Sequence, residues 1–148
     1  MKFEFSAGGV VFKKEDNKTF ILIARHSYHH GWVFPKGLIG PSTSSGQADK
    51  LETKEETATR EVEEETGIKA SILKPLKPVS YWYVFEKQKI KKTVYYFLME
   101  YVSGNTSKHD MEMEQVEWLP KGEVENRLTY RSDKKVWQEA RELMADSE

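Results

Sequence analysis

Three glutamates, Glu61, Glu64 and Glu65, stand three and four residues apart in a stretch that reads as a helix. Residues 53–66 contain no glycine or proline and many good helix formers, and Gly67 follows where helix ends commonly need a left-handed residue. On a helix of 3.6 residues per turn the three carboxylates share one side, beside Ala58 and Val62. Like charges at these spacings cost about 0.2–0.5 kcal/mol per pair. The last turns are also where the helix dipole disfavours anions. A breach of two local rules at one place needs a compensator, and the natural one is a hard divalent cation with oxygen ligands, Mg²⁺ or Mn²⁺. A glutamate-rich helix alone is more often a solvated acidic face, so the residues around it decide.

Arg60 immediately precedes Glu61, Glu52 lies eight residues before Arg60, and Gly67-Ile68 closes the stretch. With Gly46 in front, the run Gly46, Glu52, Arg60-Glu61-Val62, Glu64-Glu65 and Gly67-Ile68 resembles the Nudix box at every fixed position. That many fixed positions make a strong signal. One feature departs from the family pattern. The glycine of the box usually ends a Pro-Lys-Gly turn, and here Pro35-Lys36-Gly37 lies nine residues upstream of Gly46. The Ser- and Gly-rich stretch from Pro41 to Lys50 therefore reads as a loop insertion.

The resemblance extends along almost the whole chain and is greatest to the diadenosine tetraphosphate hydrolases within the family. It is carried by Trp32 to Gly37, Tyr81-Trp82-Tyr83, Lys92 to Leu98, Glu114 to Pro120 and Tyr130. It implies an α/β (α+β) fold, an α/β/α sandwich around a mixed β-sheet, as a single domain over 1–148. It also implies metal-dependent hydrolysis of a dinucleoside polyphosphate, with water attacking phosphorus. Glu61, Glu64 and Glu65, joined by the Gly37 carbonyl, are the implied metal ligands. One of these glutamates, or Glu112 or Glu114, is the implied base, and Arg60 orients the carboxylates. Lys36, Lys92, and Arg25 or His30 are the implied phosphate contacts, and Tyr83 and Tyr130 the implied stacking partners of a base. An oxidised nucleoside triphosphate, an RNA 5′ end or a diphosphoinositol phosphate stays open as the substrate. So does a non-catalytic nucleotide-sensing module, although the intact carboxylate set argues against it.

The elements that must position these residues are legible as a series of strands around one helix. Met1 to Lys14 reads as a strand, Glu15 to Lys18 as a turn, and Phe20 to Ala24 as a buried strand. Trp32 to Phe34 is a short strand leading to the Pro-Lys-Gly turn, with Trp32 in packing rather than on a ligand. His26, His29 and His30 sit in the polar loop between, and with no cysteine nearby they read as surface or phosphate-binding histidines rather than a zinc site. Ala70 to Leu73 is a strand; Val79 to Glu86 and Thr93 to Val102 form a hairpin across a basic turn from Lys87 to Lys92. Tyr81, Tyr83 and Phe85 fall on one face of it, Trp82 and Val84 on the other. Gln115 to Leu119 is a strand, Val124 to Leu128 and Lys134 to Met144 are helices, and Val136, Trp137, Ala140, Leu143 and Met144 form a docking stripe.

Composition sets the outer limits. A chain of 148 residues is long enough for a hydrophobic core, and 38% hydrophobic content places it among globular proteins. With 23 basic and 24 acidic residues it carries no footprint for duplex nucleic acid. Cysteine is absent, which excludes a disulfide framework and a thiolate metal site. No apolar run is long enough to span a bilayer, and the N-terminus lacks the apolar core of a signal peptide. A cytoplasmic protein with a nucleotide substrate is the expectation; the oligomeric state is left open.

Overall fold

The computed structural model describes residues 1–40 and 50–146. The expected insertion, Pro41 to Lys50 with Gly46 in it, lies outside them except for Lys50. The chain builds β1 (Lys2–Glu15), β2 (Lys18–His26), β3 (Trp32–Val33), β4 (Lys36–Leu38), α1 (Lys54–Thr66), β5 (Ile68–Pro75), β6 (Val79–Phe85), β7 (Gln88–Gly104), β8 (Met113–Pro120), α2 (Val124–Arg127) and α3 (Arg131–Asp146). The eight strands form one mixed sheet. β1 and β7 run parallel from Lys2↔Ile90 to Phe12↔Glu100, and the other strand pairs are antiparallel.

The registers show how the sheet makes room for a site. β1 and β2 are paired only near their hairpin, from Phe12↔Ile21 to Glu15↔Lys18. Beyond that, β4 takes over the edge of β1 at Ser6↔Leu38 and Ala7↔Gly37, and β3 takes over the edge of β2 at Ala24↔Val33. The segment 32–38 therefore fills a wedge where two central strands part. Lys36-Gly37 is not the turn expected from its sequence but the start of a short strand, because β1 offers it a free edge. The wedge also brings the end of α1 within reach of the opposite face of the sheet.

α1 lies on one face, where Ala58 and Val62 pack with Ala7, Val11, Leu22 and Met99. α3 lies on the other, where Trp137, Ala140 and Met144 pack with Val10, Ile21 and Leu98. This is the α/β/α sandwich that the family resemblance implies. Full burial of a side chain such as Val62 or Met144 contributes roughly 1.5–3 kcal/mol, so the two stripes hold the helices far more firmly than helix propensity does. Thr53 caps α1 in a capping box with Glu56, and Gly67 ends it at φ 79°, where a side chain would be strained.

The β6–β7 hairpin differs from expectation in one respect. Its turn is only Glu86-Lys87, with φ of 49° and 63°, and this tight two-residue geometry matches the twist of the strands. Lys89, Lys91 and Lys92 are therefore residues of β7, each committed to one face of the sheet. α3 starts at Arg131, a turn earlier than its apolar stripe suggests. Among the described residues no helix is long and apolar enough to cross a membrane.

Candidate active site

The geometry of α1 sorts its three glutamates. At about 100° per residue Glu65 lies roughly 40° to one side of Glu61 and Glu64 roughly 60° to the other. Glu65 falls on the buried stripe with Ala58 and Val62 and is 1% exposed. The Glu61 side chain is 12% exposed and that of Glu64 52%. Glu61 and Glu65 face a cavity of about 550 Å³, with Lys36, Gly37, Lys92 and Glu112 among its walls. Glu64 points outward, tied to the others only through Arg60.

Arg60 holds this arrangement. Its Nε and Nη2 donate to the two oxygens of Glu52, each at 2.8 Å. Its Nη1 donates to Glu61 at 2.7 Å and to Glu64 at 3.1 Å. Glu52 also accepts from the Thr57 hydroxyl, and the guanidinium pulls its carboxyl below the ordinary range. The planar fork of arginine suits such a set of acceptors.

Glu65 is the most perturbed acid of the site. Burial, then the charges of Glu112 and Glu61, push its carboxyl up to about 10. One oxygen accepts weakly from the Lys36 backbone N–H at 3.3 Å, and Oε2 is buried with no hydrogen-bond partner. Gly37 lets Glu61 come this close: a Cβ there would sit 2.0 Å from the Glu61 carboxyl carbon. A buried carboxyl with an orphaned oxygen, beside a second and facing a third, is costly unless something cationic joins it. Among the described residues no three carboxylates or imidazoles enclose a cation by themselves. Mg²⁺ does not require that, because it is commonly held by one or two carboxylates and completes its shell from water and phosphate oxygens. The donors present, all hard oxygens, fit such an ion.

Opposite the carboxylates stand two ammonium groups. Burial and then the nearby Lys36 lower the Lys92 pKa, while Glu4, Glu112 and Glu65 oppose the shift. Two lysines pressed together at the wall of a polar chamber are suited to an anion with several oxygens. Glu112 lines the same chamber and lies 3.6 Å from His26 Nε2.

Glu114, Arg25 and His30 are gathered elsewhere. Glu114 bonds His30 Nδ1 at 2.7 Å and lies 3.2 Å from Arg25 Nε, and none of the three lines the chamber. Of the expected bases, Glu61, Glu65 and Glu112 line the chamber, and Glu64 and Glu114 do not. Of the expected phosphate contacts, Lys36 and Lys92 do.

The two expected stacking tyrosines are in different places. Tyr83 lines the carboxylate chamber, with its hydroxyl donating to Glu4. Tyr130 lines a second cavity of about 310 Å³ that shares His29, Lys36 and Tyr81 with the first. Its ring meets His29 edge-on at 5.3 Å, and its hydroxyl lies 2.9 Å from His29 Nδ1. His29 stacks on His26 at 4.2 Å, and burial lowers its pKa.

Asp133 forms the inner end of the second cavity. It is buried, its pKa is raised to about 6 by that burial, and it faces the Tyr96 hydroxyl at 3.4 Å. Nothing in the sequence marked it, since an aspartate in the first turn of a helix is an ordinary end-of-helix residue. Glu4 was equally hidden as one acid among strand residues. The site therefore consists of a polar chamber with two ammonium groups facing three carboxylates, joined to a smaller chamber with aromatic walls.

Comparison with known proteins agrees with this architecture. The NUDIX domain family model matches residues 2–146. A Mycobacterium tuberculosis protein that carries the mutator-protein name MutT4 is 36% identical over 141 residues, covering 95% of this chain and 56% of its own length. The bis(5′-nucleosyl)-tetraphosphatase [asymmetrical] of Rattus norvegicus is 36% identical over 102 residues, covering 64% of this chain and 63% of the rat protein. The chain thus spans less than two thirds of either relative. The solved structure of a C. elegans Ap4A hydrolase binary complex superposes with a TM-score of 0.71 at 21% identity, covering 97% of this chain and 98% of that one. With a family match along nearly all of its length, and with Glu61, Glu65 and Gly37 assembled around one cavity, the chain belongs to the NUDIX domain family.

Proposed function

We propose that this protein is a metal-dependent pyrophosphohydrolase that cleaves dinucleoside polyphosphates such as diadenosine tetraphosphate. The observation that carries this reading is the pairing of Lys36 and Lys92 with Glu61, Glu65 and Glu112 in one chamber that opens into an aromatic one. A polyphosphate bridge needs the first and a nucleobase the second. The names of the rat and nematode relatives, a tetraphosphatase and an Ap4A hydrolase, support the same substrate class.

A hard divalent cation, Mg²⁺ or Mn²⁺, held by Glu61 and Glu65 with Glu64 and the Gly37 carbonyl, would neutralise developing charge and ease ionisation of water there. The chain's own groups do the rest. Lys36 and Lys92 hold phosphate oxygens and keep the bridge in line. Glu112, the base candidate of the chamber that is not also an implied metal ligand, takes the proton of the attacking water, and His26 steadies its carboxylate. Arg60 fixes Glu61 so that the two inward carboxylates cannot drift apart.

Diadenosine tetraphosphate incubated with Mg²⁺ and oxygen-labelled water should give ATP and AMP, with the label in only one of them. No cleavage of it, alongside rapid turnover of an oxidised nucleoside triphosphate or an RNA 5′ end, would move the substrate to another branch of the family.

The aromatic walls have their own test. Tyr83→Ala and Tyr130→Ala should each raise KM about tenfold to hundredfold, the worth of stacking one base. Phenylalanine at either place keeps the ring and should keep most of the affinity. The hydroxyls of both tyrosines are engaged by the protein itself, with Glu4 and His29, which positions the rings rather than contacting substrate. If the alanine variants melt early yet show unchanged KM, the rings serve packing and not the base.

A further inference from the structure

The face of the β6–β7 hairpin that looks away from the cleft carries a second set of aromatic rings and lysines. Strand parity and register define it. Phe3 and Phe5 alternate along β1 with Glu4, so they point to the side of the sheet that α1 covers further along at Ala7 and Val11. Phe3 is level with Lys91 in β7, and Lys91 with Trp82 in β6. Lys89 is level with Val84. α1 stops short of these rows, and Phe3, Phe5 and Trp82 are each about half exposed.

The rings and cations are interleaved. Lys89 Nζ lies 4.7 Å and Lys91 Nζ 5.8 Å from the centre of the Trp82 ring. Beside Phe3 and Phe5 a groove of about 410 Å³ leads to Tyr95, whose ring lies 4.0 Å under Lys54 Nζ. By strand geometry, Phe3 and Phe5 are roughly 7 Å apart along β1, and Phe3 and Trp82 roughly 10 Å apart across the sheet. The cross-strand rows named hold lysines and no carboxylate; Glu86 is at the hairpin tip.

We propose that this face is a binding platform for single-stranded nucleic acid, separate from the cleft and independent of what the cleft hydrolyses. Flat rings spread over a sheet offer stacking surfaces to unpaired bases, and lysines between them meet the phosphates; stacking of this kind tolerates any sequence. A duplex hides its base faces and gains only the phosphate contacts. Charge complementarity selects against a second copy of the chain, since two such faces would set lysines against lysines. An acyl bilayer surface would use the lysines but not the flat spacing of the rings.

Anisotropy of a labelled single-stranded oligouridine at low salt tests this on the full chain. Binding is expected, with duplex RNA a weaker competitor. Trp82→Ala should weaken it about tenfold or more and Trp82→Phe much less. Lys89→Glu with Lys91→Glu should reduce the slope of log affinity against log salt by about 1.4, at about 0.7 per phosphate contact. All of these variants should hydrolyse a small nucleotide substrate at the wild-type rate. If Trp82→Ala does not fold, the lysine pair, on the surface, decides alone. The proposal is overturned if no oligonucleotide binds at low salt, or if an ADP concentration that fills the cleft displaces it. Equal binding by the lysine variant also overturns it. So does self-association or binding to anionic vesicles that Lys89→Glu/Lys91→Glu abolishes while RNA binding is absent.

Discussion

Glu65→Gln is expected to lower turnover with Mg²⁺ roughly a thousandfold while raising the melting temperature of the metal-free protein. The two effects have one origin. Glu65 is buried beside Glu61 and near Glu112, with one oxygen lacking any partner. As a free-standing group it is a liability, because burial and like charges both resist its ionisation. Glutamine has the same shape and no charge, and its amide can donate to Glu61. Relief of about 1 kcal/mol would move the melting point by roughly 2–4 °C in a chain of this size. The activity loss follows from removing a charged oxygen ligand, an interaction worth several kcal/mol in the transition state, and each 1.36 kcal/mol is tenfold in rate. Melting curves in EDTA and turnover in Mg²⁺ on the same sample measure both. Near wild-type turnover would remove Glu65 from the proposed machinery, and early melting would make it a residue the fold needs.

The helix carrying these glutamates was legible because its signals are local. Gly67 stops it where the sequence predicts, and the structure adds the Thr53–Glu56 capping box that starts it. It also adds the burial of Glu65, which continues the Ala58–Val62 spacing of four with a step of three, the mark of a core-facing stripe. Reading the three glutamates as one face obscured this: only two turn inward, and the third meets solvent. The strands and the apolar stripe of α3 were legible as elements, whereas their arrangement as a sandwich on a mixed sheet came from the family resemblance.

What could not be read depends on contacts between distant parts of the chain. Lys36–Leu38 is a strand only because β1 leaves an edge for it where β2 departs. Arg25, His30 and Glu114 look like separate site candidates along the chain, yet they close on one another beside the cleft. Asp133 owes its raised pKa to burial, which outweighs Lys36, the Phe34 backbone and the Tyr96 hydroxyl acting the other way, and none of these is announced by its sequence neighbours. Trp82 and Tyr83 are adjacent in sequence and face opposite sides of the sheet. Alternation predicts that much, but which side holds the cleft is decided by the wedge of β3 and β4.

Arg60→Lys is expected to be nearly as damaging as loss of a carboxylate, although it preserves charge. The guanidinium serves Glu52, Glu61 and Glu64 at once, with two nitrogens on Glu52 alone and a fifth, longer contact to the Leu38 carbonyl at 3.4 Å. A lysine ammonium has three donors on a flexible stem and cannot reach both Glu52 oxygens while bonding Glu61. Whichever carboxylate loses its partner must be rehydrated or stay unpaired in a half-buried position. Charge-assisted bonds of this kind are worth about 1.5–3 kcal/mol each, so stability should fall by at least that much. Turnover should fall about a hundredfold, because Glu61 is then free to swing from Gly37 and the two inward carboxylates no longer share a fixed separation. The loss should appear in kcat more than in KM, since Lys36 and Lys92 still hold the phosphates. Urea unfolding and steady-state kinetics on Arg60→Lys and Arg60→Met distinguish the two contributions. If the lysine variant unfolds like wild type and turns over at its rate, charge alone suffices, and the fork that the structure shows around Arg60 is not what orients Glu61.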